Sequence, residues 1–582
     1  MRYLRMLSNS AFAGLLAAVY LTILLLYLNP AVPLESGTVL SLLAVTTVTY
    51  GLHIFVVSYA LYVVRQIALG EPASPGWISL RLLTWSAAAL SGTAAVVMWL
   101  HAAGLRNALP PSALGGISRA AFVLAASSAV FLLLGIAQAS TRQGRRATVA
   151  ILFTVATIGS IVGPLFARGS ATGTRPARVL APPGGGFRDA GARVVLLCLD
   201  GASLDVISPA VASGRLPNFG RILERGASMH LATTRPTQPE PAWASVMTGK
   251  WPAAHGVRGA AFYRPYYGDA RLEMLPDYLF SQALVRFGFL VEEAHTSRSL
   301  HSSPLWQLLA GQGLRSGVIG LPLTHPAGPA AGFIVSDRFH RRAGRTTELD
   351  PLPSVFPPAL EDAARGVLAD DDEPPAAFRA RVDGAAQPVE GADTLAADRL
   401  HHRMALRFGA AEPVRLLAVR YGGLDPIGHY YLRYAQPAEF GDVTEDERRL
   451  YGRVLDEYYS YVDSLVGEIA GTLRDGDVLV IVSAFGMEPL TVGKRMLERV
   501  AGDRRFSGTH ERAPDGFVMA FGAPVAPGRL PRGEVVDIVP TLLYFLGLPV
   551  ARDMDGSART DLFTPAFNAP RTITRIPTYE LP

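Results

Sequence analysis

Four acidic and imidazole side chains have the types and spacing of metal ligands. Asp425 and His429 are four residues apart in the segment LDPIGHYY, and His510 lies farther along in FSGTHERAPDGF. Two imidazoles and one carboxylate are a common ligand set for zinc, which keeps a fourth position for water or substrate. Asp200, at the end of the apolar run ARVVLLCLD, is a further candidate ligand. Each signal is weak alone, because a DxxxH pair also arises by chance.

The candidate ligands Asp200 and Asp425 follow predicted β-strands. After residue 191, short β-branched runs alternate with helical patterns, which is typical of an α/β domain with a mainly parallel sheet. In such sheets ligands bind beyond the carboxyl ends of the strands, where both aspartates stand. The pattern also predicts helices over 216–225, ended by Gly226, and over 445–473. The predicted core strands lie within residues 192–200, 315–323, 413–425 and 477–486.

The N-terminal part of the chain is predicted to cross a membrane. The mean hydropathy of +0.24 and the 18% of charged residues indicate a chain too apolar for an ordinary soluble protein. The excess apolar character lies before residue 167, in five uncharged stretches long enough to span a bilayer. These predicted transmembrane helices lie near residues 11–28, 38–64, 82–100, 120–139 and 148–166.

Arginines in the short loops between these stretches predict the orientation of the chain. One side carries Arg2, Arg5, Arg65, Arg81, Arg142, Arg145 and Arg146, and the other carries Arg106 and Arg119. The positive-inside rule places the first set in the cytoplasm, so the large domain after the fifth span is expected outside it. The sequence pI of about 9.2 could suggest a protein that binds nucleic acid, but much of the basic excess is arginine beside the apolar stretches. Nucleic acid is therefore not an expected partner.

The sequence therefore predicts four regions. Residues 1–167 form an α-helical membrane domain with five transmembrane helices, and 168–191 form a flexible linker rich in glycine and proline. Residues 192–560 form an α/β ectodomain, and 561–582 form a C-terminal tail.

Six separated segments of the ectodomain occur in an order that resembles a known family. They are RVVLLCLDGASLDVI, RLPNFGRILERGA, PAWASVMTGKWPAAHGVRG, LDPIGHYY, GTHERAPDGFVMAFG and DIVPTLLYFLGLPVARDMDG. This succession looks like the type I phosphodiesterase/nucleotide pyrophosphatase branch of the alkaline-phosphatase superfamily, over residues 192–560. The resemblance implies an alkaline-phosphatase-like fold with a mainly parallel sheet flanked by helices. It also implies two zinc ions, one of which Asp425, His429 and His510 would hold.

The resemblance also implies a second metal site, from which residues are missing here. That site should combine Asp200, a Thr or Ser nucleophile, and an Asp-His pair in a segment resembling VSDHG. The corresponding segment has Ala484 and Phe485, neither of which binds a divalent cation, and the nucleophile position falls on Pro239. The two-metal reaction of the family is therefore not expected, and one divalent metal, most simply zinc, is predicted.

Three nearby groups leave alternatives open. Thr237 lies two residues from the lost nucleophile position and is a weak substitute for it. Glu240 could replace a ligand or act as a base, but is more simply a first-turn charge that complements the helix dipole. His401 and His402 lie in an arginine-rich helical stretch and are predicted to be solvated.

Two functions are compatible with this sequence. In the first, the ectodomain is a pseudoenzyme that binds a phosphoester, a lipid or a partner. In the second, a single metal supports a phosphodiesterase or phosphotransferase that acts on lipid head groups or envelope glycans. Membrane lipids are expected partners in both, and the spans together with the resemblance suggest a bacterial inner membrane with the large domain extracytoplasmic.

Overall fold

The computed structural model describes most of the chain. The described residues are 2–68, 76–140, 146–168, 178–179, 191–266, 268–276, 281–340, 352–369, 391–501 and 503–581. The predicted linker 168–191 lies outside them apart from Arg168, a two-residue strand and Gly191. By backbone contacts the chain divides into two compact units, Met1–Thr174 with Arg258–Ala294, and Arg175–Val257 with His295–Pro582.

The helices, in chain order, are α1 Arg2–Leu28, α2 Ser36–Thr46, α3 Leu52–Ala68, α4 Leu80–Gly104, α5 Pro111–Ser140, α6 Arg146–Arg168, α7 Leu204–Ala212, α8 Pro217–Arg225, α9 Pro239–Thr248, α10 Pro252–His255, α11 Ser281–Arg286, α12 Leu305–Gly311, α13 Glu361–Ala369, α14 Gly391–Ala411, α15 Leu424–Ala435, α16 Pro437–Phe440, α17 Glu445–Tyr451, α18 Val454–Gly471, α19 Val492–Ala501, α20 Ile538–Phe545 and α21 Pro565–Asn568. A π-helical turn, Thr47–Gly51, joins α2 to α3.

The strands are β1 Arg178–Val179, β2 Val194–Leu199, β3 Ala227–Ala232, β4 Ala261–Pro265, β5 Leu290–Ala294, β6 Ser316–Ile319, β7 Gly332–Val335, β8 Val355–Phe356, β9 Leu416–Tyr421, β10 Val478–Phe485, β11 Glu488–Pro489, β12 Gly508–Thr509, β13 Asp515–Phe521, β14 Gly528–Arg529, β15 Gly533–Glu534, β16 Val550–Ala551, β17 Arg575–Ile576 and β18 Glu580–Leu581.

Among its described residues, the first unit contains five helical spans that are long and apolar enough to cross a membrane, as the sequence predicts. They are Tyr3–Leu28, Ser36–Ala68, Leu80–Gly104, Pro111–Gln138 and Ala147–Arg168. Polar side chains inside the bundle bond to each other or to carbonyls; for example, Tyr20 and Ser160 are 2.8 Å apart. Paired in this way, such groups are tolerated away from water.

An excursion of the chain, residues 258–294, belongs to this helical unit. It contains the antiparallel hairpin of β4 and β5, and its leucines form a buried apolar cluster with side chains of the first two spans. Asn29, just after α1, bonds this excursion to the end of the helix. The side-chain NH₂ group of Asn29 donates to the carbonyl oxygen of Met274 at 2.9 Å, and the side-chain oxygen of Asn29 accepts from the backbone amide of Glu273. A polar loop is thereby held at one end of the helix bundle.

The second unit is built on a mixed sheet with a parallel centre. Its strand order is β14-β3-β13-β10-β2-β9-β6-β7-β8, and β10, β2, β9, β6 and β7 run parallel. Both faces of β2 are fully buried, because one apolar layer of helices covers each side. Parallel strands end at a common edge, so the residues that follow β2 and β9 and the last residues of β10 meet there.

The structure agrees with the predicted architecture but corrects one element. The helix expected over 445–473 is divided into α17 and α18 at Gly452. A Cβ atom at Gly452 would lie 2.5 Å from the carbonyl oxygen of Arg448 and 3.3 Å from that of Tyr434, so this position does not admit a larger residue. The apolar spacing continues through the break, which is why periodicity alone did not reveal it.

Candidate metal centre

Helix α15 begins at the carboxyl edge of the sheet and carries two of the predicted ligands. Asp425 and His429 are one helical turn apart, so their side chains project from the same face of α15. His510 follows the short strand β12, which packs against this helix. The structure thus brings His510 next to a pair of residues that is distant from it in the sequence, since His429 lies 81 positions earlier.

The three side chains form a compact group of nitrogen and oxygen atoms. The Nε2 atoms of His429 and His510 are 3.2 Å apart. Oδ2 of Asp425 lies 3.7 Å from Nε2 of His429, and its Oδ1 lies 3.5 Å from Nε2 of His510. All three ligand atoms lie within 4.8 Å of one another, which makes the group a possible metal-binding triad among the described residues.

The surroundings prepare these side chains to bind a cation. Nδ1 of His429 donates to the carbonyl oxygen of Gly508 at 2.7 Å, so Nε2 keeps its lone pair for the centre of the group. Burial, together with the neighbouring His429, lowers the pKa of His510 to about 3, so this imidazole is neutral. Oδ1 of Asp425 is buried without a hydrogen-bond partner in the described part of the chain. A divalent cation would satisfy all three groups.

Asp200 is not part of this triad. It follows β2 and is 1% exposed, and the guanidinium of Arg420 donates to its Oδ2 through Nε, at 2.9 Å, and through Nη2. Burial raises the pKa of Asp200, whereas Arg420 opposes that rise and favours the charged carboxylate. The other oxygen, Oδ1, has no hydrogen-bond partner among the described residues.

The end of β10 places an aromatic ring beside the triad. Phe485 and Ala484 are completely buried, and the ring of Phe485 meets that of His510 edge-on, with centroids 4.7 Å apart. On its other side Phe485 contacts Trp243 of α9, at 6.4 Å between ring centroids. The surroundings of His510 on this side are therefore apolar.

The N-terminus of α9 carries the residues at the predicted nucleophile position. Pro239 is the first residue of this helix and has no hydroxyl group. The hydroxyl of Thr237 is buried, donates to the carbonyl oxygen of Thr234 at 2.8 Å, and accepts a bond from Arg235. Thr237 is therefore engaged within its own loop.

Glu240, in the first turn of α9, lies close to the charged groups of the site. Burial raises its pKa to about 7, with Arg420 opposing the rise and Asp200 and Asp425 adding to it. Its own backbone amide favours the charged form, but burial outweighs this effect. Oε2 of Glu240 is buried and has no hydrogen-bond partner in the described part of the chain.

The turn that starts α15 is fixed by Asp398, which the sequence analysis missed. This carboxylate on α14 is 1% exposed and accepts from the amides of Gly422 and Gly423 at 2.7 and 3.0 Å. The hydroxyl of Tyr458 donates to it at 2.8 Å. A Cβ atom at Gly423 would lie 1.6 Å from that hydroxyl oxygen, so the turn requires glycine.

His401 and His402 are buried, so the prediction that they are solvated is wrong. Each is 4% exposed. The ring of His402 lies between the hydroxyl of Tyr421 and the carboxylate of Glu468, at 2.8 and 3.0 Å, while Nδ1 of His401 bonds the carbonyl of Arg420. Arginines elsewhere in α14 suggested a polar helix, but this face packs against β9.

The sequence of the second unit matches a family model. The type I phosphodiesterase/nucleotide pyrophosphatase model covers residues 194–527, more than half of the 582 residues. The chain belongs to this family. Members of the family depend on metal ions, and the triad of Asp425, His429 and His510 fits one such ion. No curated protein matches the chain in sequence.

Solved structures of two relatives resemble this phosphodiesterase-family chain. A phosphonoacetate hydrolase from Sinorhizobium meliloti 1021, in complex with phosphonoformate, is 16% identical with a TM-score of 0.33, over 57% of this chain and 66% of the hydrolase. Just under two thirds of that hydrolase is therefore matched. Murine ectonucleotide pyrophosphatase/phosphodiesterase 5 is 14% identical with a TM-score of 0.37, over 64% of this chain and 100% of the murine chain.

The residues at which the sequence resemblance predicts a second metal site offer one candidate ligand in the structure. That ligand is Asp200, which is already paired with a guanidinium. Ala484 and Phe485, at the positions predicted for the Asp-His pair, have no donor atoms in their side chains and are fully buried. Arg420 could have been noticed in the sequence, since LLAVRY places a charge near the end of an otherwise apolar strand.

Proposed function

We propose that this protein is a membrane-anchored member of the family that binds a phosphoester with one divalent metal, without the family's covalent catalysis. Asp425, His429 and His510 would hold the metal, most simply zinc. A cation held there supplies Lewis-acid attraction for a phosphoryl oxygen. The observation that carries the proposal is the triad itself, whose ligand atoms lie within 4.8 Å of one another while Asp200 lies outside it.

The lack of a nucleophile supports binding without turnover. Pro239 has no hydroxyl group, and the hydroxyl of Thr237 is buried and bonded to Thr234. An attacking group displaced by about 1 Å can lose a hundredfold in rate, so Thr237 is a poor substitute from its present position. A pseudoenzyme that binds a phosphoester, a lipid head group or a partner is therefore our main proposal.

We propose that the second unit lies outside the cytoplasm. The arginine distribution supports this orientation, and five helices are long enough to span a membrane. Membrane lipids and envelope glycans that carry phosphoesters would then be accessible ligands. A bacterial inner membrane is the proposed location.

Metal content and turnover of the purified full-length chain test this proposal. We expect about one zinc per chain and metal-dependent binding of bis(p-nitrophenyl) phosphate, with hydrolysis no faster than in the Asp425→Ala/His429→Ala variant. The double variant should lose both the metal and the binding. A wild-type chain that binds neither metal nor phosphoester would refute the proposal.

A second candidate function is a one-metal phosphodiesterase or phosphotransferase. It is favoured by Glu240, whose unpartnered carboxylate oxygen lies beside the charged groups of the site and could accept a proton from an attacking water or hydroxyl. The same assay separates the two functions. Hydrolysis by the wild type that disappears in both the double variant and Glu240→Gln would establish the enzyme and exclude the pseudoenzyme.

A further inference from the structure

Arg420 is the cation nearest to Asp200, and its position is unusual for an arginine. It is the fifth residue of β9, a strand whose other five residues are almost completely buried. A quarter of its side chain remains exposed, because the guanidinium extends past the end of the strand to Asp200. Both bonds to Asp200 go to the single oxygen Oδ2, through Nε at 2.9 Å and through Nη2.

We propose that the guanidinium of Arg420 takes the place of the second metal ion, so that a phosphoester anion binds between one metal and one arginine. This inference rests on the proposed function, because it identifies the second half of the same binding site. Arginine is suited to the role, since it stays charged and its planar fork of donors matches phosphate oxygens.

The replacement is consistent with every group around Asp200. The ligands that would complete a second metal site are replaced by a methyl group at Ala484 and by the ring of Phe485, which is packed between His510 and Trp243. A buried Asp200 without a cation would be costly, and Arg420 removes that cost. Arg420 therefore supplies, beside Asp200, the positive charge that a second metal ion would supply.

The charges of the site indicate the kind of ligand. Asp200, Glu240 and Asp425 are three carboxylates that act on one another electrostatically. Arg420 is paired with Asp200, and a divalent metal would be held by Asp425, so each of these two carboxylates has its own cation. If either cation is lost, one carboxylate repels an incoming anion, so a phosphoester should need both.

Titration of the full-length, zinc-loaded chain with inorganic phosphate and with bis(p-nitrophenyl) phosphate tests this inference. We expect Arg420→Gln to keep one zinc per chain and to bind both probes at least about tenfold more weakly, because it loses charged hydrogen bonds. Arg420→Lys keeps the positive charge but loses the planar set of donors, so its affinity for both probes should lie between those of the wild type and Arg420→Gln. Affinity unchanged in Arg420→Gln, or two zinc ions in the wild type, would overturn the inference.

Arg420→Gln leaves Asp200 unpaired and could destabilise the fold, so a second variant is needed. Asp200→Asn/Arg420→Gln removes both charges together, and it should also lose phosphate affinity while retaining zinc. The matched control is Arg193→Gln/Asp477→Asn, since this buried pair, 2.8 Å apart, joins the starts of β2 and β10, at the end of β2 opposite to Asp200. Reduced phosphate affinity in this control as well would assign the effect to stability and would also overturn the inference.

These outcomes are distinct from failure of the proposed function. That function fails if the wild type binds neither zinc nor phosphoester. The present inference fails when the wild type binds both and the Arg420 variants bind phosphate equally well.

Discussion

At the scale of single residues, the site combines imidazole ligands with the carboxylates of Asp425, Asp200 and Glu240, each of which has one buried oxygen without a hydrogen-bond partner among the described residues. The stacked ring of Phe506, 4.6 Å from that of His429 between centroids, and the Gly508 carbonyl together fix the orientation of one imidazole. Such second contacts determine which nitrogen faces a metal. The three ligands were predictable from residue type and family order, whereas the pairing of Asp200 with Arg420 depends on side-chain directions that no spacing rule contains.

The ionisation of Glu240 gives a pH-dependent prediction. Burial raises its pKa to about 7 from an ordinary value of 4.5, so the folded chain keeps a proton that the unfolded chain loses. The stability this provides is complete below about pH 4.5 and disappears as the pH rises through 7. Without metal, Glu240→Gln should therefore raise the melting temperature more at pH 8 than at pH 5.

Thermal melting of both proteins in chelator, at the two pH values, measures this difference. Glu445→Gln is the matched control, because Glu445 also lies in the first turn of a helix but is exposed. An equal shift at pH 5 and pH 8 in Glu240→Gln would show that Glu240 ionises normally.

Thr237 gives a second prediction at this scale. Thr237→Val removes a buried hydroxyl that bonds the Thr234 carbonyl, and it should lower the free energy of unfolding by about 1 kcal/mol. Zinc content and any hydrolysis of bis(p-nitrophenyl) phosphate should stay as in the wild type. Loss of measurable hydrolysis in a folded Thr237→Val variant would instead identify Thr237 as the attacking group.

At the scale of elements, the strands were predictable and the connections between them were not. The apolar runs that end at Asp200 and before Asp425 became β2 and β9, because a strand buried on both faces needs a continuous apolar sequence. The division of one long predicted helix at Gly452 and the burial of His401 arise from contacts between elements. Periodicity within one element carries no information about them.

Asp398 gives a prediction for the element that presents the ligands. Its carboxylate oxygens accept hydrogen bonds from the amides of Gly422 and Gly423, where α15 begins. In Asp398→Asn one of these oxygens becomes an NH₂ group, which cannot accept a bond from the backbone amide that faces it. We expect the start of α15 to shift and zinc affinity to fall by roughly tenfold or more, since displaced ligands bind weakly. Competition with a chelating dye measures that affinity.

Asp463→Asn is the matched control for this experiment. Asp463 is also a buried acid, and it accepts from the amides of Asn218 and Phe219 at the start of α8, a helix that supplies no ligand. Its replacement should lower stability and leave zinc affinity unchanged. Equal zinc affinities in folded Asp398→Asn and wild-type chains would show that the hydrogen bonds of Asp398 do not position Asp425.

At the scale of the whole molecule, the arrangement of the membrane spans is the prediction with the widest consequence. The only cysteine, Cys198, is completely buried, so the wild type should not react with a membrane-impermeant maleimide. Arg106→Cys lies between the third and fourth spans and should be labelled in intact cells, because the arginine count places it outside. Trp77→Cys, between the second and third spans, should be labelled only after the cells are opened. If instead Trp77→Cys were labelled in intact cells and Arg106→Cys only in opened cells, the large unit would lie in the cytoplasm. Envelope glycans could then no longer be its ligands. The metal triad and the phosphoester proposal would be unaffected, because they rest on the geometry of the site.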